Sequence, residues 1–528
     1  MITKQSQFFL LALILTLLSY LSVLNNEFLG DDYIRILHNP ELLNIWSSLT
    51  GDLGDRPVLM SLIWAEFKFF GTNPTGYRII GIILHAFVAL KLYQIIEKES
   101  KQHSYAPLMI GLLFALHPLN SQTLNIVIQQ GVILASLFAL LSLSAFFDTQ
   151  ESGSKKHLGF SIFYFVLSML CKPIASFLPL FLLVATLYPS RASKFSRSWI
   201  LLYLPALLLP VLFYALGEKN TQNLKINSLD YFFIQSEVVF TYFKLILIPI
   251  NFQYLYDFFP AQNFNWPFLL GHLAIFGLVL KFVSNKLFKL FFIGFYLSFL
   301  PESGFFPINH LAFEHRTYLP LAFLAMGLGM WPQTKKVMMI LLIVLGIYLG
   351  LNQLRNSEIY PRSRWVLDTV TKSYTDHGFN FTATTYLIKE GQLKEAAPVI
   401  DIYRKNYPEV AIYQILIDSY DYKVDPSRKD LLAKVAENLK KDFPYPEVRR
   451  WGNSLLIKEW SDPIKLEGIL ALQMPIFLSS FKDYGPYVDY YQVIAQDLLK
   501  DEVKLNQIDP KLKGYIKDTL NQIQKGHP

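Results

Sequence analysis

The sequence Gly30-Asp31-Asp32-Tyr33 stands shortly after the first long apolar run, residues 8–24. Two adjacent carboxylates therefore lie where the chain leaves a hydrophobic segment. Ionisable groups beside a hydrocarbon layer are costly, and they tend to have a functional role. This arrangement predicts a membrane protein with a reactive or binding site at the membrane boundary.

The composition places the whole chain in the membrane class. Of the 528 residues, 52% are hydrophobic and 17% are charged, whereas globular domains have about 25% charged residues. The net charge of +7 does not require a nucleic-acid partner, because Lys and Arg concentrated in short cytoplasmic loops give the same balance. Cys171 is the only cysteine, which excludes an intramolecular disulfide and a cysteine-rich metal site.

Eleven apolar segments predict an all-α, polytopic bundle of spanning helices. The first has no small-x-small cleavage site and is predicted to be a retained anchor. Basic residues cluster in alternate loops, which places these loops and the N-terminus inside and the C-terminus outside. The predicted spans are residues 8–24, 75–96, 105–118, 120–147, 158–171, 174–189, 198–216, 266–283, 289–301, 317–332 and 337–353.

Two further apolar segments are predicted not to span. Residues 57–70 are short and rich in aromatics, which is typical of a helix lying at the outer interface. Residues 231–250 carry Glu237 and Lys244. If this segment crossed the membrane, the charge rule would fail for the later loops, so it is predicted to be an outer-face or re-entrant helix.

The composition changes after residue 354, where the long apolar runs stop. Charged residues and tyrosines then appear at helical spacing, and the sequence Pro-Glu-Val at 408–410 recurs at 446–448. The two copies begin 38 residues apart, at 408 and 446, and a repeat of about this length is typical of stacked helical hairpins of tetratricopeptide type. Residues 1–354 are therefore predicted to form the membrane domain, and residues 355–528 an extracytoplasmic helical-repeat domain.

With this topology, ionisable residues that are far apart in sequence gather at the outer ends of the helices. A carboxylate such as Asp31 or Asp32 can accept a proton from a hydroxyl group. Arginine meets two phosphate oxygens at once with its planar fork. The residues predicted to bind a phosphate are Arg316, Lys172, Arg56 and His117, and those predicted to support the site are Glu314, His315 and Tyr318.

Structural interpretations of the same residues stay open. The pair Asp31-Asp32 is also typical of a solvated loop or a helix cap, and adjacent carboxylates can instead hold a divalent cation. His117 at a helix end is often satisfied by backbone carbonyls. Lys172 between two apolar segments is able to extend towards the headgroups, and Glu302 is interpreted as a loop charge.

Several pieces of this sequence together resemble the GT-C superfamily of integral-membrane glycosyltransferases. Within it, they are most similar to the transmembrane-plus-tetratricopeptide protein O-mannosyltransferases and their bacterial relatives. The resemblance covers most of the chain, and its first and last pieces are the most specific. The matching pieces are Phe28-Leu29-Gly30-Asp31-Asp32-Tyr33 with Asn39-Pro40, Arg56-Pro57-Val58, Tyr77-Arg78-Ile79-Ile80 with His85, Leu116-His117-Pro118-Leu119-Asn120-Ser121, and Glu314-His315-Arg316-Thr317-Tyr318-Leu319-Pro320.

The resemblance implies a sugar donor carried on a polyprenyl phosphate or pyrophosphate. Transfer would be to a hydroxyl or amide of a protein or glycan on the outer face of the membrane, with Asp31 or Asp32 as base and Arg316 on the donor phosphate. Two departures remove carboxylates near the site. Gln122 stands where the family usually has an acidic residue, and Pro173 where it often has Glu. Both argue against a bound metal and keep a catalytically degenerate homologue as an alternative.

The sequence thus favours a glycosyltransferase of a bacterial inner membrane, with membrane lipids, the lipid-linked donor and the acceptor as partners. A transporter or flippase for a lipid-linked glycan is the first alternative. Such proteins place charges at mid-membrane and show inverted repeats, and neither pattern is clear here. The second is a membrane scaffold with partner-binding repeats, for which eleven spanning helices exceed what anchoring needs. No cofactor is predicted apart from the alternative divalent cation at Asp31 and Asp32.

Overall fold

Helices make up all the regular secondary structure that the computed structural model describes, which confirms the all-α prediction. By their internal contacts, the residues divide into two units, Met1–Ser373 and Tyr374–Pro528. The described residues are 3–26, 28–32, 35–36, 39–50, 56–100, 105–187, 201–205, 228–253, 256, 266–304, 308, 311–331, 334–358, 384–385, 387–388, 391–406, 408–428 and 430–438.

The first unit is a bundle of apolar helices. Within the described ranges, four are long and apolar enough to cross a membrane, at Lys4–Val23, Pro74–Ser100, Val127–Ser152 and Lys335–Ser357. In chain order its helices are α1 (Lys4–Tyr20), α2 (Ile45–Thr50), α3 (Pro57–Phe70), α4 (Pro74–Ser100), α5 (Ala106–Leu116), α6 (Ser121–Asn125), α7 (Gln130–Ser152), α8 (Lys155–Cys171), α9 (Leu178–Leu187), α10 (Ser228–Leu247), α11 (Trp266–Phe282), α12 (Lys286–Leu297), α13 (Leu300–Ser303), α14 (Tyr318–Gly329) and α15 (Lys335–Glu358).

The helix predicted at residues 57–70 is present as α3. Pro57 occupies its first turn, where a missing N–H is tolerated, and Gly71 with φ +55° ends it. Its buried residues, Leu59, Met60, Ile63 and Glu66, recur at helical spacing and form one face. A carboxylate therefore occupies the last position of an otherwise apolar stripe.

A buried stretch of short turns leads from the end of α5 to the first residue of α7, and we call it the central segment (residues 117–130). The spanning helix predicted at 120–147 instead begins at Gln130. Pro118 follows the end of α5, and the turn continues through Asn120, whose Nδ2 donates to the Phe114 carbonyl oxygen (2.6 Å). Polar side chains here satisfy backbone groups that a continuous helix would have paired internally. Residues 117–128 are all buried.

Close aromatic packing joins α12 to its neighbours α9 and α14. The Phe181 and Phe323 rings lie 5.0 Å apart, and the Phe291 ring lies 6.3 Å from that of Phe181. Gly294 of α12 faces this cluster, and a Cβ there would overlap the Phe323 ring. The glycine therefore permits the close approach of the helices.

The second unit contains three consecutive helices among its described residues: α16 (Leu393–Asn406), α17 (Ala411–Val424) and α18 (Asp430–Asn438). Gly391, with φ +73°, forms the turn before α16, as the sequence predicts. The Tyr403 and Tyr413 rings stack at 4.2 Å, which joins α16 to α17. Assignment to the tetratricopeptide type stays a prediction.

Parts of three sequence predictions lie outside the described residues. They are Tyr33, most of the span 198–216, and the recurrence at 446–448.

Candidate functional site

Asp32 is fully buried and connects the first loop to the central segment. Its Oδ2 accepts hydrogen bonds from the backbone N–H groups of Leu29 (3.3 Å) and Val127 (2.9 Å). Its Oδ1 accepts one from the N–H of Ile128 (2.8 Å). Burial raises the pKa of Asp32 to about 7, although these N–H groups and Arg78 favour the ionised form. The carboxylate is therefore already engaged by the protein.

Asp31 lies beside it but in a different environment. Its side chain is exposed, and its carboxylate receives no hydrogen bond from the residues that the structure describes. Arg78 of α4 fixes the same corner, because its Nη1 donates to the Leu24 carbonyl oxygen (3.1 Å) and its Nε to that of Asn125 (3.4 Å). We call Asp31, Asp32 and Arg78 the acidic corner.

Three cations that are far apart in sequence meet around one carboxylate. Lys172 Nζ lies 3.2 Å from Glu302 Oε1, and Arg56 and Arg316 act electrostatically on both groups. Burial alone would raise the pKa of Glu302, but the three cations hold it below its usual value. We call these four residues the cationic cluster. A group of two arginines and one lysine around a single carboxylate is an arrangement able to bind an anion.

The cationic residues lie at points where helices begin or break. Arg56 immediately precedes α3, and Lys172 stands between α8 and the turn Pro173–Ala175. Arg316 belongs to the 3₁₀ turn Glu314–Thr317, which leads into α14. Backbone breaks of this kind let a side chain leave the helix surface, so all three can converge.

Two tyrosines of α10 hold the loop around Arg316. Tyr231 Oη donates to the Glu302 carbonyl oxygen (2.9 Å), and Tyr242 Oη donates to that of Phe313 (2.8 Å). Arg316 Nη1 donates to the Leu311 carbonyl oxygen (2.8 Å). The helix predicted at 231–250 therefore contributes side chains that position the cationic cluster.

The acidic corner and the cationic cluster both adjoin the N-terminal end of α7. Gly131 lies three residues after Ile128, whose N–H binds Asp32. A Cβ on Gly131 would lie 2.8 Å from Leu59 Cδ2 and 3.5 Å from the Cys171 carbonyl oxygen. Leu59 is close in sequence to Arg56, and Cys171 precedes Lys172. The segments that carry Arg56 and Lys172, and the N–H group that binds Asp32, therefore all lie near the N-terminal end of α7.

The structure places His117 and Tyr318 in packing networks. His117 Nε2 contacts the Ile246 carbonyl oxygen (3.1 Å), and its Nδ1 accepts from the Leu119 N–H (3.2 Å). Tyr318 Oη lies 2.6 Å from His85 Nδ1. Both nitrogens of His117 are thus used by backbone groups, which is the structural alternative that the sequence leaves open.

Glu314 forms a buried ion pair with Arg355 of α15. Its Oε1 also accepts hydrogen bonds from Tyr256 Oη (2.6 Å) and the Gln253 N–H (3.2 Å). Burial raises the pKa of Glu314, and Arg355 opposes that shift. The pair joins the turn that carries Arg316 to the last membrane helix.

Gln122 stands where the resemblance leads one to expect an acidic residue, and it binds the next predicted site residue. Its Oε1 lies 3.0 Å from the His315 N–H and 3.1 Å from His315 Nδ1. A neutral amide thus positions the turn before Arg316. In the described ranges, no group of three or more His, Cys, Asp or Glu side chains is arranged to hold a metal ion.

Sequence reasoning gave no role to Glu66 or Arg355, and it interpreted Glu302 as a loop charge. The signal for Glu66 is its position on the apolar face of α3, where a charged residue is unexpected. Arg355 gave no such signal, because a basic residue near the end of a spanning helix is ordinary.

Comparison with known proteins confirms the resemblance to protein O-mannosyltransferases. A protein O-mannosyl-transferase of Caenorhabditis elegans is 25% identical over 353 residues, which cover 59% of this chain and 49% of that protein. Protein O-mannosyl-transferase TMTC2 of Mus musculus is 30% identical over 139 residues, 24% of this chain and 16% of that protein. The human TMTC1 is 25% identical over 152 residues, 26% of this chain and 17% of that protein.

This chain spans about half the length of the Caenorhabditis elegans relative, and the matches to the two TMTC proteins cover smaller parts of theirs. No family model matches the sequence, and no solved structure matches it significantly.

Proposed function

We propose that this chain is an integral-membrane glycosyltransferase that moves a sugar from a polyprenyl phosphate or pyrophosphate to a protein or glycan acceptor. The observation that carries the proposal is the meeting of Arg56, Lys172 and Arg316 around Glu302. The segments of Arg56 and Lys172 reach the N-terminal end of α7, near the N–H groups that bind Asp32. An anion-binding group next to a carboxylate supplies the two functions that glycosyl transfer from a phosphate requires.

The cationic cluster binds the donor phosphate in this mechanism. As the bond between the sugar C1 and the phosphate oxygen breaks, its electron pair stays on the leaving phosphate, whose negative charge increases. Fixed cations stabilise that charge more than they stabilise the bound donor. Burial lowers the pKa of Lys172, and Glu302, at 3.2 Å, opposes that shift and holds the ammonium group in place.

Asp31 is the proposed base, and Asp32 positions it. Asp31 is exposed and able to accept the proton of an acceptor hydroxyl as that oxygen bonds to the sugar C1. Asp32 already accepts three backbone N–H bonds, from Leu29, Val127 and Ile128. This division of roles chooses between the two carboxylates that the sequence left equivalent.

The proposed setting is the inner membrane of a bacterium, with the catalytic end of the bundle facing outward. The second unit has consecutive packed helices, such as α16 and α17, which suit the binding of an extended acceptor. Acceptor binding by this unit is part of the proposal.

The test is transfer from a radiolabelled polyprenyl-phosphate sugar by the purified full-length protein in lipid nanodiscs. We expect Asp31→Asn to abolish transfer without changing the melting temperature, and Asp32→Asn to reduce both. Glu151→Gln, at a side chain that is 58% exposed near the other end of α7, is the control. Full activity in the Asp31→Asn, Asp32→Asn double variant would refute the proposal. In sealed vesicles that contain the same protein, movement of the labelled lipid across the bilayer without transfer would favour a flippase.

A further inference from the structure

Glu66 is a buried carboxyl group that the proposed reaction does not use. It lies on the face of α3 that packs into the bundle, and it is only 3% exposed. Within the part of the chain that the structure describes, neither of its carboxylate oxygens receives a hydrogen bond. Burying an ionised carboxylate without donors is among the most costly arrangements in a protein.

The side chain that interacts with Glu66 is Gln130, the first residue of α7. Gln130 Nε2 donates to the Tyr77 carbonyl oxygen (2.9 Å). Gln130 Oε1 is also buried, and among the described residues it receives no hydrogen bond. Among the described residues, the Glu66 carboxylate and Gln130 Oε1 are therefore two buried acceptors to which no hydrogen-bond donor is directed.

A proton on Glu66 resolves both deficits together. An ionised carboxylate and an amide oxygen are both acceptors, and neither can serve the other. A protonated carboxyl group has one O–H, which can be donated to Gln130 Oε1. The raised pKa of Glu66, about 8, favours the protonated form at neutral pH. Burial is its main cause and Asp32 adds to it, although the amide of Gln130 lowers the pKa in part.

We propose that Glu66 is a neutral carboxylic acid that donates a hydrogen bond to Gln130 Oε1 and so positions the acidic corner. The path is short. Gln130 follows Val127 and Ile128 closely in the central segment, and their N–H groups hold Asp32. A fixed Gln130 side chain fixes these donors.

The charged and titratable groups that face Glu66 come from two neighbouring elements. The first loop contributes Asp32, whose negative charge disfavours ionisation of Glu66. Helix α4 contributes Tyr77, which interacts with Glu66, and Arg78, which acts on Asp32. Among the described residues of α2, α7 and α8, no ionisable side chain acts on Glu66.

The protonated state gives a defined dependence of stability on pH. The folded-state pKa of Glu66 is raised above the ordinary value of 4.5 to about 8. The stabilisation is therefore complete below the ordinary value and is lost as the pH rises towards about 8. In that window, each pH unit lowers the folding equilibrium constant by at most about tenfold through this group.

The experiment compares Glu66→Gln and Glu66→Leu with the wild-type protein and with Glu151→Gln as a control. Melting temperatures of the full-length protein in detergent are measured between about pH 6 and about pH 9, across the range in which the group titrates. We expect the wild type and Glu151→Gln to lose stability as the pH rises. Glu66→Gln keeps an N–H donor for Gln130 and should stay at least as stable at neutral pH. It should lose the part of the slope that Glu66 contributes, which is the part that remains between about pH 7 and about pH 8, above the pKa of Asp32.

Glu66→Leu should lose the same part of the slope, but it should melt at a lower temperature at every pH, because Gln130 Oε1 then has no donor. A second readout is an infrared band of a protonated carboxyl group in the difference spectrum of the wild type minus Glu66→Gln, in which any band from Asp32 cancels. An unchanged slope in Glu66→Gln, or the absence of that band, would overturn the proposal.

The effect on transfer rests on the proposed function. We expect the wild-type rate to decline above about pH 8 and the Glu66→Gln rate to persist there. If the protein transfers no sugar at all, the melting and infrared measurements still decide the state of Glu66, so the two failures are distinguishable.

Discussion

If the positive charge of the cationic cluster binds the donor, two substitutions there should change donor affinity in opposite directions. Lys172→Met removes one of the three cations, whereas Glu302→Gln removes the carboxylate that partly neutralises them. If the cluster binds a donor phosphate, the first substitution should weaken donor binding and the second should strengthen it. The Lys172→Met, Glu302→Gln double variant has the same net charge in these four positions as the wild type, but it lacks the contact from the lysine.

The magnitude follows from the geometry. Lys172 Nζ is 3.2 Å from Glu302 Oε1, and both side chains are mostly buried, so salt screens the charges weakly. A hydrogen bond to a charged group contributes about 1.5–3 kcal/mol. Loss of the lysine should therefore raise the donor Kd roughly 10- to 150-fold. Glu302→Gln should lower it by up to about tenfold, since its effect acts through charge alone.

The assay is equilibrium binding of a fluorescent polyprenyl-phosphate sugar to the full-length protein in nanodiscs. Circular dichroism and melting temperature establish that each variant is folded. The expected order of affinity is Glu302→Gln, wild type, the double variant and then Lys172→Met. If both single substitutions changed affinity in the same direction, charge would not govern donor binding, and the proposed role of the cluster would be wrong.

Two further predictions concern stability. Glu314→Gln removes the carboxylate that pairs with buried Arg355 and should lower the free energy of unfolding by about 3–5 kcal/mol, measured as a lower melting temperature. A Glu314→Gln, Arg355→Gln double variant should recover part of that loss. An equal loss in the single and double variants would contradict the pairing. Gly294→Ala should cost about 1–3 kcal/mol because the added methyl group overlaps the Phe323 ring, whereas Gly159→Ala, with open space around its Cβ, should not destabilise; equal melting temperatures of the two variants would count against this packing.

The apolar elements were accessible from the sequence because hydrophobicity and helix boundaries are local properties. Helix α3 runs over the predicted residues, and Pro57 and Gly71 mark its ends. The central segment was not predicted correctly. Its polar residues, such as Asn120 and Asn125, are few among many apolar ones, so the average hydropathy stays high and predicts a continuous helix. The Asn125 side chain also has a partner in a distant part of the chain, Asn356.

The sequence indicates which residue types form the candidate site, but it does not predict how they are arranged in space. Charges at the ends of apolar runs drew attention to Arg56, Lys172 and Arg316. The different environments of Asp31 and Asp32 depend on the N–H groups of residues 127 and 128, which no local pattern reveals. Long-range contacts of this kind decide which of two adjacent carboxylates is buried and which is exposed.

The central segment also has a consequence for how the protein is made. Arg355 and Asn356, near the end of α15, bind the Pro118 carbonyl oxygen and the Asn125 side chain. During synthesis, the polar groups of this segment enter the membrane long before α15 is translated. A nascent chain that stops before α15 exposes these groups to lipid without their final partners. The polar groups of the central segment therefore reach their full set of partners only after α15 has been added to the bundle.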